Sequence, residues 1–333
     1  MEALLLLFSF AIVLAGALMF TNAVEWIGHK LNIGEGAVGS ILAAVGTAMP
    51  ETLIAVVARI SATEGSEDVA IGAIVGAPFL LGTLAMGLVG LFAYVYRDRR
   101  QQGVELNAHK PTLERDLLFF LLLFTIGGVL GLGLPAEVRF IAGIAFIVAY
   151  FGYVALTLRG GGEVQADETL NPLIFERRTE RSEDPALLLC IIQLLVGLGA
   201  MIGGAHLFVE ELLHIAESIG VEALVLALIL APLATELPEK VNSFFWVREW
   251  KDALALGNIT GAMVFQSMVP VGIGLIFTDW DLTWTAILSI GLGVTGGLLA
   301  YESLHISGRF KLSAIIGWFV LYASFIFAVA VSA

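Results

Sequence analysis

Runs of about 18–25 residues that are nearly free of charge recur along the chain, and this length constrains the fold more than any other feature. At a rise of about 1.5 Å per residue, a helix of that length crosses the ~30 Å hydrocarbon layer of a bilayer. Every backbone N–H and C=O in that layer must find a partner within the protein, so only helices and closed barrels span it. Barrel strands alternate in polarity over about ten residues, whereas these runs are continuously apolar, so they predict helices. Composition agrees: 58% of the 333 residues are hydrophobic and 14% are charged, with a mean hydropathy of +0.92. The expectation is an all-α integral membrane protein whose first partner is the lipid bilayer.

The runs predict spans at 3–21, 37–58, 69–96, 117–134, 138–158, 186–209, 221–247, 253–277, 283–301 and 312–332, about ten transmembrane helices in all. The first run has Glu2 where a signal peptide has a basic leader, and it lacks a small-residue cleavage site, so it reads as a span. With the N-terminus outside, the inner loops collect Lys30, Arg97, Arg99, Arg100, Lys110, Arg115, Arg159, Arg177, Arg178, Arg181, Arg248, Lys251, Arg309 and Lys311. The outer loops hold Arg59 and Arg139, and Lys240 stays within a span. That bias places both termini outside the cytoplasm, in a multi-pass protein of the cell membrane. Trp26, Trp246, Trp250, Trp280 and Trp284 fall near span ends, where interfacial anchors are expected.

The net charge of −13 argues against nucleic acid as a partner. Many of the acids (Glu64, Glu67, Asp68, Glu137, Glu210, Glu211, Glu217, Glu222, Asp279 and Asp281) fall in predicted outer loops, where they raise the local concentration of cations. Cys190 is the single cysteine, so no intramolecular disulfide forms.

"VGTAMPETLI" (45–54) and "LATELPEKVN" (233–242) both set Thr-x-x-Pro-Glu inside an apolar run. They belong to a longer repeat. At an offset of 188, Gly16, Ala17, Phe20, Ile27, Ile41, Leu42, Ala43, Thr47, Pro50 and Glu51 meet Gly204, Ala205, Phe208, Ile215, Ile229, Leu230, Ala231, Thr235, Pro238 and Glu239 without a gap. A three-residue change of register then pairs "IGAIVGA" (71–77) with "LGNITGA" (256–262). The chain reads as a duplication of about five spans. Five is odd, so the second copy enters from the opposite side, giving two inverted five-helix repeats with a substrate site near the midplane. The first repeat is 1–158 (motif 45–83), the cytoplasmic linker is 159–185, and the second repeat is 186–333 (motif 231–268).

The motif has a definite chemistry. Proline lacks an N–H, so Pro50 frees the carbonyl of Gly46 and Pro238 frees that of Ala234. Free carbonyls at membrane depth persist where protein or a cavity meets them. Thr47 and Glu51 share a helical face, as do Thr235 and Glu239. A lone carboxylate at mid-bilayer costs on the order of 3 kcal/mol, so two require compensation. Carboxylates, freed carbonyls and threonine oxygens together suit a hard cation such as Ca²⁺, which takes about 6–8 oxygens.

"GTAMPET" followed by "EDVAIGAIVGA", and "ATELPEK" followed by "KDALALGNITGA", resemble the two α-repeats of the calcium/cation antiporter superfamily, most nearly its prokaryotic sodium/calcium exchangers. The stretch 203–239 is similar to that family's first span and the loop leading into its repeat. The resemblance implies ten spans, a site built from spans 2, 3, 7 and 8, and electrogenic exchange of Ca²⁺ for Na⁺ by alternating access. It also implies that Glu51 and Glu239 bind Ca²⁺ and share Na⁺ sites, with oxygens from Thr47 and Thr235. No resident cofactor is implied; Ca²⁺ and Na⁺ are cargo. The protein is expected to act as a monomer or weak homo-oligomer.

The chain departs from the family pattern at several positions. Ala48 and Glu236 replace the motif serines. Where the family has Gly-Asn-x-x-Gly-Ser-Asn, the first copy reads Gly72-Ala73-Ile74-Val75-Gly76-Ala77-Pro78; the second keeps Asn258 but has Ala262 and Met263. The next expected polar ligand is Leu81 in the first copy and Gln266 in the second. With several Na⁺ ligands missing, an H⁺-coupled relative stands as the alternative, with Glu51, Glu239 or Glu236 carrying the proton. On a helix with Thr235 at zero, Glu239 falls near 40°, Glu236 near 100° and Lys240 near 140°. Lys240 reads either as a tethered cation balanced by Glu236, or as an i,i+4 partner or snorkelling side chain. His29, His206 and His214 lack metal-ligand spacing, and "GGVLGLG" (127–133) and "GLGVTGG" (291–297) read as close helix packing. No catalytic constellation is visible, so the chain is not expected to be an enzyme. A channel or an ion sensor without transport is the third reading.

Overall fold

The computed structural model of the chain describes residues 2–30, 49–61, 63–100, 103, 105–106, 108–159, 171–176, 185–248 and 250–332, with backbone alone at 158, 159, 237–242, 244, 245 and 332. Among these residues the regular structure is helical, apart from one isolated bridge between Glu105 and Arg309. In chain order the main helices are α1 (Glu2–Lys30), α2 (Met49–Ser61), α3 (Ser66–Val95), α4 (Lys110–Leu130) and α5 (Ala136–Arg159). They continue as α6 (Leu187–Ile219), α7 (Ala223–Arg248), α8 (Asp252–Phe277), α9 (Trp284–Ser307) and α10 (Leu312–Ser332). Seven of them (α1, α3, α5, α6, α8, α9 and α10) are long and apolar enough to cross a membrane. The other predicted spans differ for visible reasons. The helix α4 carries Glu114, Arg115 and Asp116, and α7 contains Glu236, Glu239 and Lys240. Within the predicted 37–58 span, residues 37–48 lie outside the described residues.

Two helices form the centre. The apolar windows of α3 and α8 are 94% and 78% buried, against 22–28% for α1, α5, α6 and α10. Helices that are apolar all round belong in such an interior. The outer helices present Leu4, Leu18, Phe151, Leu188 and Phe327 outward, the surface that lipid covers. Several glycines sit at close helix crossings, because small residues let backbones approach, although Gly133 and Gly291 of the two glycine-rich runs have open space around them. A Cβ on Gly72 would lie 2.5 Å from the Leu224 carbonyl oxygen, joining α3 to α7. One on Gly82 would meet the Gly293 carbonyl at 2.7 Å, joining α3 to α9, and one on Gly16 would meet that of Gly197 at 2.8 Å, joining α1 to α6. Pro78 interrupts the ladder of α3; a π segment follows at Leu81–Ala85, and the Thr83 hydroxyl donates to the Phe79 carbonyl at 2.6 Å.

Several predicted loop and interface residues lie elsewhere. Helix α6, predicted to end near 209, continues to Ile219 and closes on Gly220 at φ 69°, where Val221 N–H reaches the Ala216 carbonyl at 3.1 Å. Glu210, Glu211 and Glu217 are therefore helical, and Glu211 is buried. Trp280 is 1% exposed and donates its indole N–H to the Gly127 carbonyl at 2.9 Å, so it is a packing residue rather than an interfacial anchor. Trp26 is likewise buried and donates to the Asn171 carbonyl at 2.9 Å. Asn171 opens the described piece of the linker, 171–176. That piece docks on α1 and α6: Ile174 N–H donates to Asn22, Phe175 N–H donates to Gln193, and Leu173 packs with Trp26 and Cys190.

Candidate functional site

The predicted ligands that fall within the described residues sit on α2, α7 and α8. Helix α2 packs against α3 and α6, and more lightly against α7 and α8. Its first turn carries Glu51, which is 1% exposed, next to the buried Pro50 and Thr52. Enclosing a carboxylate this completely is costly unless its surroundings compensate, so Glu51 is an enclosed acid rather than a solvated helix end.

On α7, Thr235 is fully buried and donates its hydroxyl to the Ala231 carbonyl at 2.8 Å, which leaves its oxygen lone pairs available as acceptors. Ala234 is half-buried, and its carbonyl faces the position where Pro238 supplies no N–H. Glu236 is 1% exposed and accepts from the Gln266 amide of α8. The other end of that amide, Gln266 Oε1, has no hydrogen-bond partner among the described residues. Further toward the α7–α8 turn, Asn258 donates to the Ser243 hydroxyl at 3.2 Å. Glu236–Gln266 and Ser243–Asn258 are thus two polar rungs between antiparallel α7 and α8, about two turns apart on each helix.

The structure thereby joins Glu236 to Gln266 and places Asn258 on the same pair of helices. Gly46 and Thr47 lie outside the described residues, and the Glu239 and Lys240 side chains lie outside the described side chains. Leu81, which stands where the family has a polar ligand, is fully buried within α3. Among the described residues, no three His, Cys, Asp or Glu side chains gather as a metal-holding group.

Two buried charge centres were not expected from the sequence. Arg100, assigned to an inner loop, has a side chain that is 2% exposed and grips Asp252 of α8 through both Nη atoms, with Nη1 to Oδ1 at 2.7 Å. It also donates to the carbonyls of Val247 at 2.6 Å, Gly103 at 2.9 Å and Glu105 at 3.0 Å. Asp116, placed just outside a predicted span, is 3% exposed between α4, α5 and α8. The contacts of Arg100 with Asp252, and of Asp116 with Tyr153 and Thr260, have no local signal, since those partners lie 37–152 residues apart.

A bundle of apolar helices that encloses carboxylates and amides at helix depth defines an integral membrane protein with polar groups gathered in its interior. The chain belongs to the sodium/calcium exchanger protein family, whose profile matches residues 1–159 and 189–331. It is 23% identical over 303 residues to the sodium/calcium exchanger MaX1 of Methanosarcina acetivorans, covering 82% of each chain. Its fold is similar to that of the H⁺/Ca²⁺ exchanger CAX, with a TM-score of 0.73 at 16% identity over 98% of this chain and 82% of that one. It is also similar to the sodium–calcium exchanger NCX_Mj, with a TM-score of 0.61 at 20% identity over 98% and 97%. The family is one of exchangers, not of catalysts.

Proposed function

We propose that the chain is a secondary active antiporter that exchanges Ca²⁺ for Na⁺ across the cell membrane by alternating access. In this reading ten spans form two inverted five-helix repeats, 1–158 and 186–333, with both termini extracytoplasmic. The cargo site lies near the midplane. Its ligands are the Glu51 and Glu239 carboxylates, the Thr47 and Thr235 hydroxyls, the carbonyls of Gly46 and Ala234, and the second-repeat groups Glu236, Asn258 and Gln266. Ca²⁺ and Na⁺ are substrates and no resident cofactor takes part. The unit is a monomer or weak homo-oligomer.

The observation that carries the reading is the near-complete burial of Glu51 in one copy of the motif and of Thr235 and Glu236 in the other. The family and its named exchangers support the class of activity. A bound ion set neutralises the carboxylates and permits occlusion. The empty site, with like charges held out of water, resists switching, which favours exchange over leak.

A second reading, Ca²⁺/H⁺ exchange, is favoured by one feature: Glu236 brings a carboxylate and the Gln266 amide where the family places Na⁺ ligands. The likeness to CAX is compatible with it. Proteoliposomes separate the two. Ca²⁺ uptake driven by an imposed Na⁺ gradient, and indifferent to a pH gradient, is the expected result; the reverse pattern transfers the coupling to H⁺, and uptake under neither gradient rejects exchange. Glu51→Gln and Glu239→Gln should each abolish uptake, and near-normal uptake in either removes the site assignment. Lys240→Thr should change the charge moved per Ca²⁺ if Lys240 is a tethered cation; an unchanged ratio rejects that role.

A further inference from the structure

Asp116 lies apart from the proposed ligands, yet three donors converge on its carboxylate. Tyr153 of α5 donates its hydroxyl to Oδ1 at 2.8 Å, and the neighbouring Arg115 donates to the same oxygen at 3.1 Å. Thr260 of α8 donates to Oδ2 at 3.1 Å. Tyr153 is 7% exposed and Thr260 is fully buried. An aromatic wall closes the node: Phe119 meets Tyr153 edge-on at 5.3 Å, and Tyr150 meets Phe265 of α8 edge-on at 5.2 Å. All three contacts treat the carboxylate as an acceptor, the role that an ionised acid performs. An apolar residue would pack this position at lower cost, so a carboxyl group kept inside the bundle indicates a role beyond packing.

The partner on α8 shows what that role is. With Thr260 at zero on the helical wheel, Asn258 falls about 160° away and Gln266 about 120° away. Thr260 therefore marks the back of α8, where Val264 and Met268 pack with Tyr150 and Tyr153. Asn258 and Gln266 bond toward α7. A carboxylate fastened to the back fixes the rotation and depth at which those two amides are presented. The register that pairs 71–77 with 256–262 sets Val75 opposite Thr260, so the first copy of the motif has no equivalent anchor at that position.

We infer that Asp116 is a positioning residue for the cation site: through Thr260 it holds α8 so that Asn258 and Gln266 meet α7 in the geometry that binds the ion. This rests on the proposed site, and two readouts separate its failure from that of the site itself. The first is Ca²⁺ binding to the purified full-length protein in nanodiscs. Asp116→Asn and Thr260→Val should each weaken binding about tenfold, the equivalent of one lost charge-assisted hydrogen bond. The double variant should lose no more than either single one, and Asp116→Glu should recover most of the affinity. The second is oxidative cross-linking of Ser243→Cys with Asn258→Cys in a Cys190→Ser background, which reads the α7–α8 register without any ion. Asp116→Asn should slow that cross-link about tenfold while the melting temperature changes little. An unchanged cross-linking rate, additive losses in the double variant, or an affinity loss that merely follows melting temperature overturns the inference. If the wild type binds no Ca²⁺, the site reading fails and the cross-link alone decides the role of Asp116.

Discussion

Replacing Arg100 with methionine removes five hydrogen bonds from one buried place: two to Asp252 and one each to the carbonyls of Val247, Gly103 and Glu105. The pair is 2% and 1% exposed, so solvent cannot take over. Breaking a buried ion pair from one side costs about 3–5 kcal/mol. Arg100→Met belongs in the middle of that range, at about 4 kcal/mol, because it leaves the Asp252 carboxylate without its guanidinium and the Val247 carbonyl without its donor. Asp252→Leu should cost about 3 kcal/mol, since the guanidinium keeps its three carbonyl acceptors. The double variant removes both charges together and should also cost about 3 kcal/mol, which sets the coupling near 4 kcal/mol. Reversible unfolding of the four proteins in mixed micelles, titrated with a denaturing detergent, measures each term. Additive single effects, with coupling below about 0.5 kcal/mol, would refute the view that this pair clasps the α3–α4 loop to the α7–α8 turn.

Gly76→Ala forces a methyl against the Leu228 carbonyl and within 2.9 Å of Pro232 Cγ; overpacking between α3 and α7 should cost about 1–3 kcal/mol in the same unfolding assay. Leu173→Ala should open the linker dock at α1–α6, and the expected readout is faster maleimide labelling of Cys190, which is now fully buried with Leu173 and Trp26; unchanged labelling would show that the dock does not shield it. Trp250 holds φ 68° in the α7–α8 turn, a conformation that costs a side-chain-bearing residue about 1–2 kcal/mol. Trp250→Gly should therefore raise the melting temperature, whereas a loss would mean that its ring is anchored at the membrane interface and outweighs the strain.

The membrane-spanning class, most helix positions and the doubled motif were legible because each rests on local pattern. Unbroken apolar runs set α8 and α10 to within a residue or two of their ends, and Thr-x-x-Pro-Glu stood out because acids are costly inside such runs. Glu51, Thr235 and Glu236 are each buried. The illegible part was pairing. Gln266 appeared only as a residue at a family position, yet it donates to Glu236. Asp116 did not stand out because its burial depends on Tyr153 and Thr260, which reach it from two other helices. Glu211 looked like a loop acid because the apolar run fades near 209 while the helix continues for about three more turns.

The charges at the ends of α3 and α8 share a physical logic. Asp252 begins α8 and holds Arg100, just beyond the end of α3. Glu67, in the first turn of α3, accepts from the Asp279 N–H, just beyond the end of α8, at 2.5 Å. An acid at a helix N-terminus also favours the positive end of the helix dipole, so each acid steadies its own helix while holding the chain that leaves the other. The register pairing 71–77 with 256–262 sets Glu67 opposite Asp252, which makes the two contacts reciprocal. The contacts differ in strength. The Arg100 contact joins two buried charges, whereas Asp279 is exposed and also meets Arg139 at 3.2 Å. The exposed contact is screened by solvent and salt and the buried one is not, so the two ends of the central helix pair are pinned unequally and the Asp279 end is the one that can part at lower cost.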